Sequence, residues 1–299
     1  MRRVIFNLKG GVGKSTITCN LAAISAYYGK KTLVVDLDAQ ANSSQYLLGL
    51  DQSPYQPNIS DYYRSILNLT HKNSELDKYV HPTSYDNLYL IPADSSLSKL
   101  EFELTTRKKF FKLRQLLDAL TDFDVVFIDT PPAFNYFTQS ALIAADRCLI
   151  PFDCDLFSRQ AIYNLLDGLN KIKKEYHPHI KVEGIIVNQF QPQAKLPLKL
   201  IQELKAEKLP VMKPFLTHSI RIRESHEIAK PLIYMNSTHK NTREYIELFE
   251  SMLGMLTPGL DNEAGINNSE IELSSKPKHV SKNKAINHEI NRENLVEID

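Results

Sequence analysis

Eight residues near the start of the chain, Lys9-Gly10-Gly11-Val12-Gly13-Lys14-Ser15-Thr16, bring three glycines, two lysines and two hydroxyls into one short turn. Glycine lets a backbone wrap closely around an anion with its N–H groups turned inward. If a helix follows, its N-terminus adds a potential favourable to the same anion. Lys14 is then placed to reach the β- and γ-phosphates of a nucleotide, and the Ser15 hydroxyl to hold Mg²⁺. Gly10, Gly11, Val12, Gly13, Lys14, Ser15 and Thr16 are therefore the candidate nucleotide-binding residues. The general phosphate-loop pattern, GxxxxGK[ST], would place its first glycine at position 8, where this chain has Leu8.

Three other groups of residues suit the same chemistry. Asp36-Leu37-Asp38-Ala39-Gln40-Ala41-Asn42 follows an apolar, β-branched run. Asp129 closes the run Val125 to Ile128 and precedes Thr130-Pro131-Pro132. It would sit at the C-terminal end of a strand, where α/β sheets place ligands. Asn188 ends the run Ile185-Ile186-Val187, with an amide that can both donate and accept, and a plain strand-end cap is one reading of it.

These groups need a scaffold that brings strand ends together. Runs at Arg3 to Leu8, Thr32 to Leu37, Asn87 to Ile91, Asp124 to Ile128, Arg147 to Phe152 and Lys181 to Val187 read as strands. Helical spacing appears over Ser15 to Tyr28, Leu97 to Leu120 (in two pieces), about Ser158 to Tyr176, and Asn241 to Leu256. Gln40 to Ser84 reads as irregular. Strands alternating with helices, several apolar along most of their length, predict an α/β fold: a mostly parallel, doubly wound sheet with helices on both faces. The expected organisation is one domain over residues 1–257 and a disordered tail over 258–299. That tail has no Phe, Tyr or Trp and is rich in Asn, Ser, Lys and Glu.

Composition narrows the class. With 42% hydrophobic and 24% charged residues, the chain reads as a globular protein. It contains no run of about eighteen apolar residues, so no membrane span is expected, and the apolar N-terminal run is too short for a signal segment. The chain is expected in the cytoplasm. Its three cysteines, Cys19, Cys148 and Cys154, form no CxxC pair and read as reduced thiols. Net charge is +1, yet Lys195 to Lys230 alone carries eight Lys/Arg against four Asp/Glu. Such a segment is a candidate polyanion site, against the plainer reading of solvated helix faces.

KGGVGKST resembles the deviant Walker A motif of the ParA/MinD family of P-loop ATPases, whose signature lysine matches Lys9. The Asp36 to Asn42 segment looks like the family's D-x-D-P-Q-G-N, with Ala39 and Ala41 in place of Pro and Gly; VVFIDTPP resembles its Walker B segment. Leu149 to Asp155 loosely resembles a "PxQCE" segment, with Asp153 and Asp155 replacing Gln and Glu. Arg221-Ile222-Arg223-Glu224-Ser225-His226-Glu227-Ile228-Ala229-Lys230-Pro231 resembles R-L-S-E-A…G-K-P, with Arg223 and Ala229 replacing Ser and Gly.

The resemblance spans about residues 3 to 256, with the motifs in the family's order. It implies catalytic Lys9, Lys14 and Asp38, a metal set of Ser15, Asp38 and Asp129 (the last through water), an adenine-recognising Asn188, and DNA contacts by Arg221, Arg223 and Lys230. Lys9 would reach the partner's nucleotide across a dimer; Asp38 would position the attacking water and sense Mg²⁺. The cofactors are ATP and Mg²⁺. Implied partners are a second copy when ATP-bound, non-specific DNA, and an activating ParB-like protein or cargo adaptor, with association to the nucleoid. The first strand begins at Arg3, so the helix-turn-helix domain of larger plasmid members is not expected. A MinD-like membrane ATPase is the chief alternative, but no membrane partner is expected: the apolar residues near the end are sparse and lack an aromatic anchor. An iron–sulfur reductase would need a cysteine pair in a loop, and an ATP-binding scaffold without turnover is a further alternative.

Overall fold

The computed structural model describes residues 1–49, 55–70, 72–154 and 156–254. The expected tail and Asp155 lie outside these.

In chain order the elements are β1 (Arg2–Ile5), α1 (Lys14–Tyr27), β2 (Thr32–Asp36), α2 (Asn42–Leu48), α3 (Ile59–Leu67), a 3-10 turn (Asn73–Tyr79), β3 (His81–Pro82) and β4 (Leu88–Ile91). There follow α4 (Leu97–Thr106), α5 (Lys112–Ala119), β5 (Val125–Asp129), α6 (Tyr136–Ala144), β6 (Arg147–Asp153), α7 (Leu156–Glu175) and β7 (Lys181–Asn188). The last are α8 (Lys195–Ala206), α9 (Ile220–Glu227), α10 (Leu232–Met235) and α11 (Lys240–Gly254).

The strands form one seven-stranded sheet in the order β3-β4-β2-β5-β1-β6-β7. Every pairing is parallel except β3 with β4 at the edge. Both faces are covered, because adjacent strand residues point opposite ways. Val4, Leu33, Val35, Val126 and Ile128 pack with α3 to α8. Ile5, Val34, Val125 and Phe127 pack with α1, α2, α10 and α11. This is the α/β doubly wound architecture that the alternation of runs predicts. Parallel strands place all their C-terminal ends on one edge, so the loops after β1, β2, β5 and β6, neighbours at the sheet's centre, meet there.

The segment from Gln40 to Ser84 departs from expectation. It holds α2, α3, the 3-10 turn and β3 rather than irregular chain. Its polar residues cap helices: the Asn58 side chain accepts from the Ser60 and Asp61 N–H groups, while Asp61 accepts from the Asn58 N–H, a reciprocal capping box. Ile59, Tyr62, Tyr63, Ile66 and Leu67 form the buried face behind it. Helix α6 lacks an expected counterpart for the opposite reason. It is buried all round, so it shows no amphipathic period.

Candidate functional site

The glycine loop leaves β1 at the centre of the sheet. Asn7 fixes the exit: its Nδ2 donates to the Pro151 carbonyl at 2.6 Å and its Oδ1 accepts the Lys9 N–H at 2.9 Å. Gly11 and Gly13 then adopt φ of 74° and 90°, in the left-handed region glycine tolerates best. Gly13 also needs the space. A Cβ there would lie 2.3 Å from Asn188 Nδ2. Leu8 is not in that region, so its backbone places no demand for glycine at this departure from the general pattern. Gly13 caps α1 without a side-chain bond, which leaves the first-turn N–H groups available to an anion. Lys14 is buried, and its Nζ donates to the Lys9 carbonyl at 3.1 Å. Burial lowers its pKa, partly countered by the negative charges of Asp129 and Asp38.

Asp36 and Asp129 are register partners across β2 and β5, and both are fully buried. Asp36 is a framework residue: it accepts from the Asp38 N–H at 3.0 Å, the Ser44 N–H at 2.9 Å and the Ser44 hydroxyl at 2.8 Å. Asp129 Oδ2 accepts the Ser43 hydroxyl at 2.7 Å, whereas its Oδ1 is buried without a hydrogen-bond partner. Burial raises the pKa of both carboxyls, and the charge of Asp129 raises that of Asp36 further. A buried carboxylate oxygen left unpaired beside Ser15 and Asp38 fits a hard, oxygen-seeking cation. Among the described residues no group of three His, Cys, Asp or Glu could hold a metal alone. Mg²⁺ suits such a site, since it typically takes one or two carboxylates and completes its shell with phosphates and water.

A cavity of about 650 Å³ lies over the loop. Gly10, Gly11, Gly13, Lys14, Ser15, Thr16 and Asp38 line it, whereas Val12 and Asp129 are fully buried and do not. Asn188 is not in the lining. Its Nδ2 holds the Val12 carbonyl at 2.9 Å and its Oδ1 is buried without a partner. Lys9 turns from the cavity to Asp153 at the end of β6, with Nζ 2.7 and 3.0 Å from the two carboxylate oxygens. Arg221 and Arg223 stand exposed on α9, Arg221 paired with Glu224 at 2.9 Å, and Lys230 is exposed just beyond. The sequence reading missed Asn7, Ser43, Tyr46 and His226. The last two line the cavity from α2 and α9, on elements not foreseen as helices.

Two of the departures from the family pattern share one conformation. Ala41 has φ 55° and Ala229 φ 47°, both left-handed, at the positions where the family pattern has glycine. Ala41 is also the N-cap residue immediately before α2.

A parallel sheet with a glycine loop after its first strand, a buried lysine in that loop, and aspartates ending the two adjoining strands defines a P-loop nucleotide-binding protein. A family described as an AAA domain matches residues 3–182. The chain is 31% identical over 257 residues to the chromosome partitioning protein ParA of Myxococcus xanthus, covering 85% of this chain and 88% of that one. It is 28% identical to the sporulation initiation inhibitor protein Soj of Bacillus subtilis, over 82% and 94% of the two chains. The apo structure of McdA from Cyanothece superposes with a TM-score of 0.73 at 23% identity, covering 85% of this chain and 99% of that one, a likeness of fold. The chain belongs to the ParA/MinD family of P-loop ATPases.

Proposed function

We propose that this chain is an ATP-driven positioning protein: it binds ATP·Mg²⁺, pairs with a second copy, holds DNA without regard to sequence, and lets go after hydrolysis. Gly10 to Thr16 would cradle the phosphates, Lys14 would face the β- and γ-phosphates, and Ser15 with Asp129 and Asp38 would hold Mg²⁺. When bound, the Mg²⁺ offsets charge building on the transferring phosphoryl group. Asp38 would orient the attacking water, and Lys9 would leave Asp153 to serve the partner's nucleotide. The relatives named as partitioning proteins support a role in moving a cargo. An activating partner, ParB-like or a cargo adaptor, would set the rate.

The observation that carries the DNA reading is the placement of Arg221 and Arg223, exposed on a helix whose far end borders the phosphate cavity. Phosphate contacts need only such cations and read no bases. One copy would bind weakly; two copies held in a dimer raise the effective concentration of the second contact. A mobility-shift titration with ATP, on unrelated duplexes at two salt concentrations, tests this. Binding should be indifferent to sequence, fall steeply with salt, and be lost in Arg221→Glu while ATP binding stays intact. Equal binding by Arg221→Glu, or binding of wild type to anionic liposomes and not to DNA, overturns it.

A further inference from the structure

His226 stands where the phosphate cavity meets the cationic helix. It lies near the end of α9, five residues beyond Arg221, and it lines the cavity together with Ser15 and Thr16. Its Nε2 is 3.1 Å from Thr16 Oγ1. Its ring meets that of Tyr46 edge-on, with centroids 4.7 Å apart and planes at 80°. Neighbouring contacts bind the same three helices and add α10. Tyr46 Oη and Ser225 Oγ are 2.9 Å apart. Asn20 Nδ2 donates to the Thr16 carbonyl at 2.9 Å and to Tyr46 Oη at 3.3 Å, and Asn20 Oδ1 accepts the Leu232 N–H at 2.9 Å. Helix α9 is thus tied to the first turns of α1 and to α2, the helix that follows Asp38.

Nothing in the phosphate-loop chemistry or the DNA reading uses this imidazole. A ring nitrogen can donate to a phosphate oxygen as readily as it pairs with a hydroxyl. Thr16 follows Ser15 directly, and Lys14 reaches the two outer phosphates. With Lys14 serving the two outer phosphates, the phosphate next to the nucleoside would fall on the side of the loop where Thr16 and its neighbour His226 line the cavity.

We propose that His226 is a nucleotide-contacting residue: it exchanges the Thr16 hydroxyl for the phosphate next to the nucleoside, and so makes the position of α9 depend on the filling of the cavity. The proposal rests on the ATP-binding reading above and adds the side chain through which Arg221 and Arg223 sense the nucleotide.

The test measures ATP·Mg²⁺ affinity by calorimetry and amide deuterium exchange by mass spectrometry in wild type, His226→Ala, His226→Phe, His226→Gln and Lys14→Ala. In wild type, ATP·Mg²⁺ should slow exchange both in residues 10–16 and in 219–230. His226→Ala and His226→Phe should lose roughly tenfold in affinity, the loss of one hydrogen bond to a charged group. At saturating ATP they should keep the slowing in 10–16 and lose most of it in 219–230. His226→Gln retains an N–H donor and should stay close to wild type. The proposal falls if His226→Phe behaves as wild type, or if Gln is as weak as Phe, because packing on Tyr46 then explains the residue. It falls equally if 219–230 responds to ATP unchanged in His226→Ala. If wild type shows no slowing in 10–16, like Lys14→Ala, the ATP-binding reading fails first; the two failures are told apart by that segment.

Discussion

Lys9 and Asp153 form an ion pair within one chain, 2.7 Å at the closer approach, that ties the glycine loop to the end of β6. A lysine that must serve a partner's nucleotide has to break this pair first. The side chains are 31% and 21% exposed, so solvent screens the pair and its worth is about 1 kcal/mol or less. Asp153→Asn should loosen Lys9 and lower the protein concentration at which the proposed ATP dimer forms, by up to about thirtyfold because two such pairs break per dimer. Light scattering across a dilution series would reveal this; an unchanged midpoint would mean that the pair does not restrain dimerisation. Lys9→Ala should bind ATP and stay monomeric.

Lys14→Ala should weaken ATP binding by roughly a hundredfold or more, because it removes the buried cation proposed to face the phosphates. Calorimetry checks it, and an affinity within a few-fold of wild type contradicts the loop assignment. Asp38→Ala should still bind ATP but hydrolyse it on the order of 100-fold more slowly. Phosphate release and the accumulation of an ATP-bound dimer would be read together.

Asp36 and Asp129 make stability depend on pH in a direction opposite to that of paired surface carboxylates. Their folded pKa values lie above the ordinary value of 3.8, so the folded state holds protons more tightly than the unfolded chain. Their contribution is fully present below that ordinary value and is lost as pH rises through the raised folded values. Asp129→Asn removes one like charge from this pair. In nucleotide-free, Mg²⁺-free buffer the variant should gain stability relative to wild type between pH 5 and pH 8, while losing Mg²⁺-dependent ATP binding. Denaturant midpoints at the two pH values decide it, and a difference that does not change with pH refutes the coupling.

Ala41 and Ala229 should each respond favourably to glycine. An L side chain at φ near 50° costs on the order of 1 kcal/mol, and glycine escapes most of it despite its greater unfolded-state freedom. Ala41→Gly and Ala229→Gly should each add up to about 1 kcal/mol of stability, read from thermal or urea unfolding. A loss of stability in either would show that the backbone there is better held by alanine.

The phosphate loop was legible because its demands are local. Closely spaced glycines offer an anion their backbone N–H groups, and the lysine and hydroxyl that follow add their side chains from the same turn, so their order carries the function. The strands at β1, β2, β5, β6 and β7 were legible for a similar reason: a strand covered on both faces must be apolar along its length, and that shows in any window. Asp129 followed from being the residue at which such a run stops. Tertiary structure decided what depends on distant neighbours. Asp36 and Asp38 are alike in residue type and only the family resemblance singled out Asp38; the register of β2 with β5 supplies the physical difference, burying Asp36 against Asp129 and Ser44 while Asp38 reaches the cavity. Lys9 could be assigned a direction only once β6 placed Asp153 beside it. Asn188 ends β7 as expected, but whether it faces base or loop depended on how closely Gly13 packs against it. His226 lies 210 residues from Thr16. No period or motif links two such positions, and only the packing of α9 on α1 and α2 makes them neighbours.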